Sequence, residues 1–185
     1  MHETHKLVCL TYIRAVSPTD LTYRENSSQL ADALEKPHFE VNEHSSQSLL
    51  LAVNHCLDFL EEPANTGFAY YIHHYASAWG FEIAIWTFES AVFMSKWLDH
   101  CMIGKSSTHD LLIERAKNLL VMAFSSLQDA FELSNGVDVD NLPRLTLQFW
   151  GQVLSELKTK PFAMRLGKAL DILAQFRDEQ GQTPR

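Results

Sequence analysis

The sequence predicts an all-α protein: a single-domain antiparallel bundle of about six helices packed around one long central helix. Three observations carry the prediction. Apolar residues recur at helical spacing in one segment after another. Residues that start and stop helices punctuate the chain at short intervals. The seven glycines of the 185-residue chain fall mostly at the ends of apolar runs. A chain of this length fits one domain, and 46% hydrophobic with 21% charged residues is a globular composition, far from a disordered one.

Residues 7–16 form the one ambiguous segment, within a possible N-terminal appendage over 1–16. Val8, Cys9, Thr11, Tyr12 and Ile13 favour a strand, but a lone strand has nothing to pair with, so a helix is expected. Ser17, Pro18 and Asp20 supply an N-cap, a proline at the first helical position and an acid three residues after the cap. A helix over about 18–36 follows, weakened at Asn26-Ser27-Ser28 and ended by Pro37. After a loop, Ser45 or Ser46 caps a helix through Glu62 with Leu50, Val53, Leu57 and Leu60 at helical spacing. Pro63 to Gly67 reads as a turn.

Residues 68–103 contain no proline and one glycine, Gly80, so the spacing predicts a single long helix with a kink allowed there and a C-cap at Gly104. Ser107 to Asp110 repeats the capping pattern and opens a helix to about Ser134, closed by Asn135-Gly136. Pro143 begins a helix marked by Leu145, Phe149, Trp150, Val153 and Leu157. Pro161 begins the last, with Phe162, Leu166, Leu170, Leu173 and Phe176 expected on one face and a frayed tail over 180–185. The short connections favour antiparallel neighbours.

The formal charge is −8, which argues against a sequence-independent grip on nucleic acid. Residues 1–92 hold 12 acids and 4 bases, whereas residues 93–185 hold 11 of each, so the whole excess lies in the first half. That half could face a basic partner, although a solvated surface that keeps the protein soluble is the favoured explanation. Cys9, Cys56 and Cys101 are odd in number and widely spaced, which indicates neither a disulfide framework nor a zinc knuckle. Met1 to His5 lacks a basic leader region, and the long uncharged run 63–81 carries Asn65, His73, His74 and three tyrosines, unlike a lipid-facing span. A cytoplasmic protein with no membrane contact is expected.

The central helix holds the residues with most chemical interest. Ile72, Trp79, Trp86 and Phe93 recur every seven residues as a bulky stripe, and Ser77, Gly80, Ala84, Ala91 and Ser95 form a stripe of small ones. A helix apolar or small over most of its circumference belongs in the middle of a bundle. Glu82 and Glu89 are the only charges between Pro63 and Ser95 and share a side with Tyr75 and Lys96. A buried carboxylate is costly unless paired or metal-bound. The two glutamates therefore mark a core pocket, with His73, His74, Tyr75, Trp79 and Trp86 as its walls, or else, as is favoured, an exposed strip or a pairing of Glu89 with Lys96. A di-iron centre is disfavoured: no Glu-x-x-His pair survives, since Pro37 splits Glu35 from His38, and the two glutamates stand about 10 Å apart along a helix. Asp138, Asp140 and Asn141 lack the glycine and distal glutamate of a calcium loop, so helix capping explains them. Adjacent His55 and Cys56 diverge on a helix and read as packing. No phosphate loop, nucleophile elbow or dinucleotide fingerprint is present, and no cofactor or metal is implied.

Lys158, Lys160, Arg165 and Lys168 gather around a helix start, where the dipole does not favour cations, and form a candidate partner patch. The expected function is therefore a non-enzymatic interaction protein of the immunity, adaptor or regulator type. Its partner would be another protein, or a second copy if a tryptophan stripe is exposed. The alternative is a small-molecule- or metal-binding helical protein, conceivably an enzyme, with its pocket at Glu82 and Glu89.

Overall fold

A computed structural model of the chain describes residues 46–67, 70–72, 81–104, 109–125, 141–157 and 160–181. Among these residues every regular element is helical and there is no strand, as the sequence predicts. The longer helices among the described residues are α1 (Ser46–Thr66), α2 (Phe81–Gly104), α3 (Asp110–Ser125), α4 (Leu142–Ser155) and α5 (Pro161–Gly181). The helices expected over 7–16 and 18–36 and the tail beyond 181 lie outside the described residues. The expected long helix over 68–103 is represented by a helical stretch at 70–72 and by α2; Gly80 lies between them, outside the described residues.

α1 departs from the expected boundary. Pro63 does not stop it but sits inside its last turn, buried. A proline costs most where it removes a hydrogen bond in mid-helix. Here it sits near the C-terminal end, where Pro63 and Ala64 are buried. The stop comes at Gly67, whose φ of +85° lies in the left-handed region that ends helices, and whose carbonyl accepts a bond from the Tyr71 amide at 3.0 Å.

α4 begins where Pro143 predicts it, with Asn141 as the capping residue. Asn141 makes no side-chain cap bond, however, and its φ of −96° and ψ of −6° are already helical. The sequence fixes the position of this start, but the asparagine does not seal it. α3 is described as far as Ser125, and the expected continuation to Ser134 lies outside the described residues.

α2 is the buried centre. Trp86, Phe88, Phe93, Trp97 and Leu98 are all at most 4% exposed, as are the small residues Ala84, Ala91 and Ser95. Burial of nearly all its circumference is what its uniformly apolar sequence demands. Aromatic contacts tie α1 to this centre, and tie α1 and α3 to α4. Phe59 of α1 meets Trp86 edge-on and stacks on Trp150 of α4 at 4.9 Å, and Phe149 meets Phe124 of α3 at 5.7 Å. Such pairs add about 0.5–1.5 kcal/mol each beyond the area they bury.

α4 and α5 form the closest pairing, antiparallel, with Gly151 facing Gly167 and Asp171, and Ser155 facing Gly167. A methyl group at Gly167 would lie 2.6 Å from the Gly151 carbonyl oxygen, so the two backbones approach as only glycine allows. Peripheral ion pairs add ties. Arg115 of α3 donates to Asp58 at 2.8 Å and Glu61 at 2.6 Å on α1, and Arg177 of α5 pairs with Asp99 of α2. The hydrogen bond to Asp58 is the main reason the Arg115 guanidinium is held above its usual pKa. Asp58 and Glu61 are about half exposed, so solvent limits what this tie contributes.

Candidate functional site

Two regions are in question: the interior of α2, and the start of α5. Seven residues separate Glu82 from Glu89, which places both at nearly the same angle on a helix. Their surroundings nevertheless differ. Glu82, in the first turn of α2, is exposed, while Glu89, two turns further on, is 1% exposed. Position along the axis, not angle, separates them: the first turn reaches past the packed core, and the middle does not. Trp86 is buried, whereas His73, His74, Tyr75 and Trp79 lie outside the described residues. The structure thus brings together Trp86 and Glu89 from that set and leaves Glu82 at the surface.

Trp86, Glu89, Ser90, Phe93 and Trp97 fall within about a quarter of the helix circumference. Three polar atoms on this arc, the Trp86 and Trp97 indole nitrogens and the Ser90 hydroxyl, are buried with no hydrogen-bond partner. Each such group costs free energy that the surrounding apolar burial must exceed. No cluster of three His, Cys, Asp or Glu close enough to hold a metal ion occurs among the described residues. Cys56 and Cys101 are buried free thiols, and burial pushes the Cys101 thiol up to about 11, far from a reactive thiolate at neutral pH. Lys96 is held below the usual lysine value, first by burial and then by the charge of Arg177.

The outer side of α5 is the contrasting region. Lys160 is half-buried just before the helix, Arg165 and Lys168 are exposed, and Lys158 lies outside the described residues. Phe162 was expected on the inner face with Leu166, Leu170 and Leu173. Those three are buried, but Phe162 is 38% exposed, and Met164 is 40% exposed. Both belong to the first turn of α5, so neither has a helical turn of its own preceding it to cover it. These two apolar residues were missed as surface features because a periodic pattern gives the angle of a side chain and not the length of the helix packed against it.

Asp171 lies on the other side of α5, against Gly151, and burial raises its carboxyl above the usual aspartate range. A carboxyl whose folded value lies above its unfolded value binds more protons when folded. Stability is therefore greatest below the unfolded value and falls as pH rises through the folded one. In urea unfolding, Asp171→Asn is expected to be more stable than the parent at pH 7, with the difference closing towards pH 4. A gap that widens on acidification would show a paired carboxylate instead.

No described helix is long and apolar enough to cross a membrane. No curated protein and no solved structure matches the chain. A family model does match: the fungal transcription factor C-terminal domain, over residues 15–172. That span covers most of the sequence and reaches from residue 15 into α5, so the chain belongs to the fungal transcription factor C-terminal domain family.

Proposed function

We propose that this chain is a non-enzymatic regulatory domain that acts in the nucleus by binding another protein, and that it leaves DNA contact to other machinery. The observation that carries this reading is the family match over residues 15–172. Of the three types the sequence allows, immunity protein, adaptor and regulator, the regulator fits that family. The net charge of −8 supports a protein partner over a phosphate backbone. A nuclear site is proposed in place of the cytoplasmic one expected from the lack of a basic leader and of a lipid-facing span, because a regulator of transcription works where transcription occurs.

The test is a reporter assay in a fungal cell, with the chain fused to an unrelated DNA-binding domain that is silent by itself. A regulatory domain changes reporter output, up or down, relative to the DNA-binding domain alone. Output equal to that of the DNA-binding domain, with the fusion present at normal level in the nucleus, overturns the reading.

A further inference from the structure

α3 is an amphipathic helix whose outer face is not wholly polar. Leu111, Glu114, Asn118, Val121, Met122 and Ser125 are all exposed, and with Asp110 they fall within about 120° of the helix circumference. Ala116, Leu119, Leu120, Ala123 and Phe124 fill the opposite side and are buried. Three of the seven exposed large hydrophobics among the described residues lie on this one face: Leu111 is 88% exposed, Met122 43% and Val121 42%. Leu111 and Met122 stand within about 20° of each other by helical angle, so they line up along the helix with Asn118 between them. Single exposed hydrophobics are ordinary on a surface, but a line of them along one helix marks a contact face. The charge of the face is of one sign. Asp110 and Glu114 lie on it, whereas Arg115 and Lys117 flank it half-buried, and Arg115 is taken up by Asp58 and Glu61 of α1. α1, packed beside α3, adds the exposed Glu62 and holds no lysine or arginine.

We propose that the outer face of α3 docks a basic amphipathic helix of a partner protein, whose apolar side chains cover Leu111, Val121 and Met122 and whose lysines or arginines meet Asp110 and Glu114. The inference rests on the regulatory reading above and names its partner class. Charge complementarity selects the occupant. Nucleic acid and an anionic lipid surface both carry the sign of this face and are repelled by it. A second copy laid on the same face brings two more carboxylates and no cation to meet them, and burying a carboxylate unpaired is costly. A cationic partner pairs the same groups. The face runs the 16 residues of α3, about 24 Å by helical rise, a length that a partner helix can follow. An extended peptide binds instead by adding to the edge of a sheet, and the described residues offer no such edge.

The test uses the full chain and a labelled synthetic peptide with Leu at helical spacing and Lys between, beside a scrambled peptide of the same composition. Fluorescence anisotropy is expected to show that the patterned peptide binds more tightly than the scrambled one and weakens as salt is raised. Leu111→Ser should weaken binding on the order of tenfold while keeping the salt dependence. Glu114→Lys should weaken it several-fold and flatten the salt dependence. Both residues are exposed, so each variant should melt at the parent's temperature, and Met122→Gln supplies a second apolar variant if Leu111→Ser melts lower. Four results each overturn the proposal. They are no binding by the parent chain, unchanged affinity in both apolar variants, unchanged affinity in Glu114→Lys, and equal binding of the scrambled peptide, which would leave only attraction to a chain of net charge −8. Self-association of the parent that Leu111→Ser abolishes also overturns it, by assigning the face to a second copy. The two readings fail separately. A parent fusion that regulates the reporter while the peptide fails to bind removes only this surface, whereas a silent parent fusion removes the regulatory reading itself.

Discussion

Trp97→Ala is expected to destabilise the chain by about 3–5 kcal/mol, the usual cost of emptying a fully buried aromatic position. Trp97 is the largest side chain with no exposure, lies in the third quarter of α2, and meets His109 edge-on at 6.0 Å. Alanine would leave a cavity in the helix on which the others pack, and small domains hold only about 5–15 kcal/mol in total. A companion variant separates packing from hydrogen bonding. The Trp97 indole nitrogen has no partner, so Trp97→Phe removes an uncompensated polar atom and keeps most of the bulk. It should cost under about 1.5 kcal/mol. Urea unfolding followed by circular dichroism reads both. Equal costs for alanine and phenylalanine would mean that the indole nitrogen, not the ring volume, matters at this position.

Gly167→Ala should destabilise by about 2 kcal/mol, although alanine is the better helix former by about 1 kcal/mol. The added methyl would lie 2.5 Å from the Ser155 hydroxyl, 2.6 Å from the Gly151 carbonyl oxygen and 2.8 Å from the Ser155 amide nitrogen. A hydroxyl can rotate away; two backbone atoms of α4 cannot move unless the whole helix shifts. Gly151→Ala makes the matching control. Its closest neighbour is the flexible Asp171 carboxylate, and the nearest backbone atom is the Gly167 carbonyl oxygen at 3.2 Å. It should therefore cost clearly less than Gly167→Ala, and a reversed order in thermal melts would contradict the helix crossing described here.

The candidate surface was half legible in advance. The basic residues around Pro161 stand out because cations at a helix start gain nothing from the dipole, so fold stability does not account for them. Phe162 was not legible. It repeats at the correct spacing with Leu166, Leu170 and Leu173, and only the packed structure shows that Phe162 is 38% exposed while those three are buried. Glu82 and Glu89 make the same point for the core: identical residues at nearly equal helical angles end in opposite environments.

Sequence alone determined the all-helical class, the starts of α4 and α5 at their prolines, and the central place of α2. These depend on local dihedral preference and on the fraction of a helix that is apolar, and both can be read within one segment. The stop of α1 at Gly67 rather than Pro63, the meeting of α4 and α5 at Gly151 and Gly167, and the burial of Glu89 beside an exposed Glu82 were decided by tertiary structure. Each depends on which backbone lies opposite a residue and how far that neighbour extends, a relation between segments that no single segment contains.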